Sequence, residues 1–369
     1  MVPVAWRMIW KDKARFFITV SGIGVTVMLM LFLVGTYQGV KRGSTSYIIT
    51  TPAEIWICQQ NSTNLLRSSS FLHSSIENEI QRIQGVGKSA GILRIIATAQ
   101  IRGRSATLFI FGFDPKSTLG PPSSIIQGTS LIDSGEIILD KAFTAKHNLR
   151  LGDFIPIQGH DFRVSGITAG TNALVAQFAF TKLEDAQRLI GLPGIISFCL
   201  VKPDTKTNTL LLVESLRKQF PSLSVFTKQE FVKNNLEEME TGVLPVLWTI
   251  AFFGALVGTV VITLMLYSSI LERKEDYALL KAVGARHTFL TSLVMKQSMF
   301  GSLIGFIVGF LLNITCTPLL VQRVPEISII ITWQAVVAIF ITTLVVGVIG
   351  SLIPLQKLAR IYPAEVFRV

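Results

Sequence analysis

The sequence is short of charge and of chemistry-bearing side chains. Charged residues make up 15% of its 369 positions, against about 25% in an average soluble domain. Its three cysteines, Cys58, Cys199 and Cys316, form no CxxC pair and are too few for a disulfide scaffold. The four histidines, His73, His147, His160 and His287, lie far apart, and none falls in an HExxH or other metal-ligand spacing. No Gly-x-Ser-x-Gly nucleophile elbow is present. Gly87-Lys88-Ser89 looks like the end of a phosphate-binding loop, but Arg82 stands where that loop needs its first glycine, so a turn between a helix and a strand is expected. The chain is therefore expected to be non-catalytic and to hold no cofactor or metal. Low overall hydrophobicity, which intrinsic disorder needs, is also lacking.

Apolar residues are abundant, at 50% of the chain, with a mean hydropathy of +0.54. The formal charge is nevertheless +11, which fits either nucleic-acid binding or a membrane protein with basic cytoplasmic ends. The distribution decides. Charge-free runs cover Phe16–Val40 (25 residues), Thr241–Leu271 (31), Gln297–Gln322 (26) and Ile327–Gln356 (30). Crossing a bilayer core takes about 20 apolar residues in a helix, so each run is long enough. The expected spans are Phe16–Tyr37, Leu244–Ile270, Val294–Leu312 and Ile329–Leu352, with Lys296 snorkelling at an interface. The first run is longer than a signal-peptide core and is followed by no Ala-x-Ala site, so it is expected to be an uncleaved anchor.

Flanking charges orient the spans. Arg7, Lys11, Lys13 and Arg15 precede the first. Arg273, Lys274, Lys281 and Arg286 separate the second from the third. Lys357, Arg360 and Arg368 follow the fourth. These eleven basic residues face a single one, Arg323, in the opposite short loop. The positive-inside rule then puts both termini in the cytoplasm and residues 41–240 outside. The expected division is 1–15 pre-span helix, 16–40 first span and stalk start, 41–240 outer domain with stalk, 241–271 second span, 272–288 cytoplasmic loop, 289–322 third span, 323–328 short outer loop, 329–353 fourth span and 354–369 cytoplasmic tail.

The outer segment carries 21 Lys+Arg and 17 Asp+Glu. Short apolar runs at Glu54–Cys58, Leu108–Gly112, Glu136–Leu139 and Phe198–Val201, with the alternating Asp161–Ile167, predict strands. Ser74–Ile83, Lys182–Ile190 and Leu210–Phe220 predict helices, the last stopped by Pro221. The class is an α+β outer domain on four transmembrane helices, one before it and three after. A break is expected near Pro115–Gly128, which is rich in Gly, Pro and Ser. Cys58 and Cys199 fall on predicted strands, either as two buried thiols or as a disulfide. Lys228–Glu240, with sparse apolar Phe231, Leu236 and Met239, predicts either a stalk helix continuing into the second span, paired with Tyr37–Thr50, or a solvated linker.

The loop Glu272–Ala285 opens with charge, continues with an apolar stripe of Tyr277, Leu280, Ala282 and Val283, and ends on a helix-stopping Gly284. Such a helix fits the groove of a soluble partner or a resting place on headgroups. Here the sequence resembles a family. ERKEDYALLKAVGAR (Glu272–Arg286) is similar to the signature of FtsX-like permeases. The tail Leu358–Arg368 resembles the same family's end, with Tyr362 and Val366-Phe367 as departures, and Ala5–Arg15 resembles its basic pre-span helix. Glu136–Phe143, Leu149–Asp153 and Phe162–Ile167 resemble a MacB-type periplasmic core domain.

The resemblance, to type VII ABC transporter permeases similar to MacB, LolC/LolE, DevC and HrtB, implies a homodimer in a bacterial plasma (inner) membrane. It implies an ATP-binding subunit on a separate chain, holding the ATP-Mg, and contacted through Glu272, Arg273, Glu275, Tyr277, Leu280, Lys281, Val283 and Gly284. It further implies export or extraction of a hydrophobic substrate by mechanotransmission, with a periplasmic adaptor (membrane fusion protein) and outer-membrane channel in some members. An FtsX-like scaffold that regulates an outside partner without cargo is the alternative. Membrane lipid, not nucleic acid, is then the remaining partner.

Overall fold

The computed structural model describes residues 13–173, 176–242, 244–272 and 274–359. Most of the expected pre-span helix, Arg273 and the tail from Arg360 lie outside the described residues. In chain order the elements are α1 (Lys13–Thr50), β1 (Ile55–Gln59), β2 (Leu72–His73), α2 (Ser75–Gln81), β3 (Val86–Ile101), β4 (Arg104–Phe113), β5 (Ile125–Gly128), β6 (Glu136–Asp140), α3 (Lys141–His147), β7 (Phe154–Ile157), β8 (His160–Thr168), β9 (Asn172–Ala173), β10 (Ala176–Lys182), α4 (Leu183–Ile190), β11 (Ile195–Ile196), β12 (Phe198–Pro203), α5 (Thr209–Gln219), β13 (Leu223–Thr227), α6 (Lys228–Gly242), α7 (Leu244–Glu272), α8 (Lys274–Ala282), α9 (His287–Arg323) and α10 (Trp333–Ala359). Among the described residues, four helices are long and apolar enough to cross a membrane, one before the α+β domain and three after it.

The chain divides into two compact units. One holds Gln38–Leu244 with Val321–Ser328, and the other holds the spanning segments. The first is built on an eleven-stranded sheet in the order β13-β1-β12-β3-β4-β10-β6-β8-β5, with β7 against β3 and β8 and β9 against β10. Its spine is β3, 16 residues long. The first half pairs with β12 and the second with β4, so one strand serves two lobes. Alternation along the strands buries both faces. Trp56, Phe111, Phe178 and Phe198 fill one core; Ile55, Ile57, Cys199 and Val201 pack under α2 and α5 on the opposite face; and Ile95, Ile110, Ile137 and Ala179 pack under α3 and α4.

Helix ends are set locally. Asp140 Oδ1 accepts from the Ala142 N–H at 2.8 Å at the start of α3, and Asn208 does the same for Leu210 at 2.9 Å before α5.

Three expectations change. Gly87–Ser89 opens β3, and the turn lies before it at 82–85. The segment at 115–128 is not a break: Leu119 is fully buried, and the Gly120 carbonyl accepts from the Tyr47 hydroxyl at 2.7 Å. The fourth spanning helix starts at Trp333 rather than Ile329. Residues 329–332 are in no helix or strand, with the Ile330 N–H bonded to the Gly35 carbonyl at 2.9 Å, and the Thr332 hydroxyl oxygen accepts from the Ala335 N–H at 3.4 Å as a weak cap.

Within the spanning unit, helices meet through small residues. Without water to expel, packing needs close backbone approach, and Gly301, Gly305 and Gly309 repeat at a four-residue interval along α9. A Cβ on Gly309 would stand 2.5 Å from the Gly24 carbonyl oxygen and 2.7 Å from the Val27 Cβ of α1, and one on Gly305 would stand 2.5 Å from Ile23 Cγ2. Polar bonds supplement the contact: Asn313 Nδ2 donates to the Met28 carbonyl at 3.3 Å, and the Ser298 hydroxyl to the Gly347 carbonyl at 2.5 Å. Gly309→Ala is therefore expected to cost about 1–3 kcal/mol through overpacking. Gly301→Ala, with nothing within 4 Å of its Cβ, should be neutral or slightly stabilising, since Ala favours a helix by up to about 1 kcal/mol. Thermal unfolding of both variants in detergent checks the pair.

Candidate functional site: the coupling loop and the stalk

The loop between α7 and α9 is an ordered short helix with a defined stop. Gly284 has φ +96°, a conformation that suits glycine. Its N–H bonds to the Lys281 carbonyl at 3.0 Å, and the Ala285 N–H bonds to the Leu280 carbonyl at 2.9 Å. This pair of bonds is a Schellman motif, which satisfies the last carbonyls of α8 and turns the chain into α9.

The apolar stripe divides into two faces. Tyr277 and Ala278 are buried with Ile270, Leu290 and Val294, and Leu280 is half-buried against the same cluster. Val283 is 83% exposed and Leu279 55%, one helical turn apart on the outward side. Phe289, at the start of α9, is also exposed and lines the same shallow depression as Val283 and Arg286. Glu272, Glu275 and Gly284 are exposed, and Lys281 is half-buried; Arg273 lies outside the described residues. Of the apolar residues marked by sequence, Tyr277 and Leu280 thus hold α8 in place, and Val283 faces out. Leu279 and Phe289 were missed, although Leu279 stands four residues before Val283 and that spacing signals a shared face.

The stalk begins with α1. At 38 residues and about 1.5 Å per residue, it is about 57 Å long, well beyond the roughly 30 Å of a bilayer core. Its last turns enter the outer-domain core, where Tyr47 and Ile48 are fully buried. Tyr47 meets Trp56 edge-on at 6.2 Å between ring centroids, and Trp56 stacks on Phe231 of α6 at 4.8 Å. One indole therefore contacts both stalk helices. Asn235, one turn further along α6, is buried; its Oδ1 accepts from the Leu65 N–H at 2.8 Å and its Nδ2 donates to the Phe231 carbonyl at 2.7 Å. Leu236 is half-buried, and the Met239 side chain is outside the described set. Lys41 of α1 and Glu240 of α6 approach to 3.8 Å.

A capping box starts α6. The Thr227 hydroxyl accepts from the Glu230 N–H at 3.1 Å, and Glu230 Oε2 accepts from the Thr227 N–H at 2.8 Å and from Arg217 at 3.0 Å. Partial burial opposes ionisation of Glu230, but these donors outweigh it and hold the carboxyl below its ordinary 4.5.

The two outer-domain thiols are structural. Ile57 pairs directly with Cys199, so Cys58 and Cys199 point to opposite sheet faces and remain free. Burial pushes Cys58 up to about 12, against its hydrogen bond to Ser62. Burial, helped by the negative charge of Glu77, also raises Cys199. Neither is a reactive thiolate at neutral pH.

Two outcomes follow. Phe231→Ala should cost about 3–5 kcal/mol by opening the stack on Trp56, read as a lower unfolding midpoint. Glu230→Gln should lower stability modestly at pH 7. A depressed folded-state value gives stability that is present above the carboxylate's ordinary range and lost as pH falls through the folded value. The gap between wild type and variant should therefore close in acid, which melting curves across pH 3–7 would test.

With this geometry in place, comparison with known proteins is informative. Residues 16–219 match the MacB-like periplasmic core domain, and residues 248–363 match the FtsX-like permease C-terminal region. An uncharacterised ABC transporter permease of Methanocaldococcus jannaschii is 24% identical, over 100% of this chain and 97% of that one. A putative hemin transport system permease protein of Staphylococcus haemolyticus is 22% identical, over 98% of both chains. Among solved structures, the periplasmic region of MacB from Actinobacillus actinomycetemcomitans is similar to 50% of this chain and covers 92% of its own, at a TM-score of 0.40 and 16% identity. The matched regions are permease regions, so the ATP-hydrolysing component lies outside these 369 residues. With four spanning helices, an α+β domain between the first and second, and both matches in register with that layout, the chain belongs to the MacB/FtsX-type family of ABC transporter permeases.

Proposed function

We propose that this permease acts as a homodimer with a cognate ATP-binding subunit and exports or extracts a hydrophobic compound by mechanotransmission. The eleven basic residues on that side support a cytoplasmic placement of both termini and α8. The exposed Leu279–Val283 edge carries the reading: it is an apolar strip, beside Glu275 and Arg286, that the spanning unit leaves uncovered. On ATP binding the ATPase subunits approach each other, α8 follows, and the displacement reaches the stalk. Two features of α1 and α6 support this. α1 joins the first span to the outer domain as one unbroken helix, and both helices are fastened to Trp56.

The spans are nearly free of ionisable groups, with Lys296 near one end, which favours a compound taken from the outer leaflet or the outside over polar cargo in a central channel. α7 leaves Trp248, Phe252 and Leu264 more than 60% exposed, a surface for lipid or a second copy. Where the cell has an outer membrane, a periplasmic adaptor and outer channel complete the route. The same fastening at Trp56 also serves a second reading, an FtsX-like relay that activates an outside partner without carrying cargo. A co-purifying cell-wall hydrolase distinguishes that relay from transport.

Leu279→Asp combined with Val283→Asp, both exposed, should leave membrane insertion and yield intact. ATPase stimulation by the reconstituted permease should fall at least tenfold, the loss of roughly 1.4 kcal/mol of docking energy or more. Full stimulation by the variant would remove α8 as the contact. Tyr277→Ala is unsuitable for this purpose, because a buried aromatic lost from the spanning core destabilises the fold itself.

A further inference from the structure

One concave site in the outer domain gathers more positive than negative charge. It is a cleft of about 650 Å³ between the β3–β4 turn, β5, and α3 with the loop that follows it. Arg102, Lys141 and Arg150 line it from three different segments. All three are exposed, and none makes an ion pair among the described residues. The neighbouring Lys146, by contrast, is paired with Glu326 at 2.7 Å. The one carboxylate in the cleft, Asp153, uses Oδ2 to accept the Arg150 backbone N–H at 2.8 Å. The cleft therefore keeps a net positive charge. Its wall also carries apolar surface: Ile126 is 46% exposed and Leu149 is half-buried.

Arg102 adds a second observation. It sits at φ +50° before Gly103 at φ +77°, in the two-residue turn that closes Ile101 onto Arg104. Such a turn favours Asn-Gly or Asp-Gly. An arginine there adopts a left-handed conformation that L side chains avoid. The tight turn fixes where Arg102 sits on the cleft wall.

We propose that this cleft binds an amphiphilic anion. Arg102, Lys141 and Arg150 hold its phosphate, sulfate or carboxylate group through charge-assisted hydrogen bonds, and Ile126 and Leu149 cover its first carbons. The inference builds on the transport reading by naming a class of compound, but binding is measured without ATP or partner, so failure of one leaves the other standing.

The test uses the full chain in phosphatidylcholine nanodiscs, titrated with octyl phosphate, octyltrimethylammonium and inorganic phosphate by isothermal calorimetry. Octyl phosphate should bind at least tenfold more tightly than either of the others. The triple variant Arg102→Gln, Lys141→Gln and Arg150→Gln should lose at least tenfold of that affinity. Arg102→Lys with Arg150→Lys should retain most of it, and matched melting temperatures show that both variants are folded. Equal binding by the triple variant, or equal binding of the cationic amphiphile, overturns the proposal. Inorganic phosphate binding as tightly as octyl phosphate overturns the amphiphile class. Adding phosphatidylglycerol to the nanodisc separates the sources: competition assigns the ligand to the bilayer's own lipid, and its absence assigns it to a free compound.

Discussion

Trp56 lies fully buried in the outer-domain core, with Tyr47 of α1 set edge-on to its ring and Phe231 of α6 stacked on it. Aromatic pairs of this kind contribute beyond their buried area, and close packing makes them stiff. Both helices that connect the outer domain to spanning segments therefore share one rigid anchor. Tyr47 adds a fixed point by bonding to Gly120, and Asn235 adds another by bonding across to Leu65. Without these attachments α1 would end as a frayed helix in solvent, and a displacement arriving along it would be lost in local unfolding.

The spanning unit answers a different constraint. Lipid tails are as apolar as leucine, so burial of apolar surface does not hold its helices together. Contact comes from close approach at Gly24, Gly305 and Gly309 and from hydrogen bonds such as Asn313 to Met28. This economy leaves large apolar faces uncovered, notably on α7 and α9, which are both apolar and little buried. The short helix α8 is mounted on the same unit by Tyr277 and Ala278. The residues that fix α8 and those it presents outward are thus separate, although they alternate within a stretch of seven residues.

Much of this architecture was legible in order. Four charge-free runs marked the spanning helices, because only a closed hydrogen-bond ladder survives in lipid. Short apolar runs marked β1, β4, β6 and β12, alternation marked β8, and Gly284 marked the end of α8. The first half of β3 was not legible, since Gly87-Lys88-Ser89-Ala90 reads as a turn until β12 supplies its ladder. The start of α10 was misplaced because non-helical Ile329–Thr332 is as apolar as the helix that follows. At the coupling loop, sequence marked the segment but not its outward face: Tyr277 and Leu279 are both apolar and only two residues apart.

By itself the sequence determined the membrane layout, the orientation expected from the +11 charge, the family resemblance and the positions of most elements. These depend on local hydropathy, periodicity and flanking charge, which a single segment carries alone. The tertiary structure decided that Cys58 and Cys199 face apart, that Trp56 joins α1 to α6, that Val283 is exposed and Tyr277 buried, and that Arg102, Lys141 and Arg150 meet in one cleft. Each of these depends on which side chains from distant segments share a face. That is set by strand register and helix rotation, and these are fixed only when the chain packs against itself.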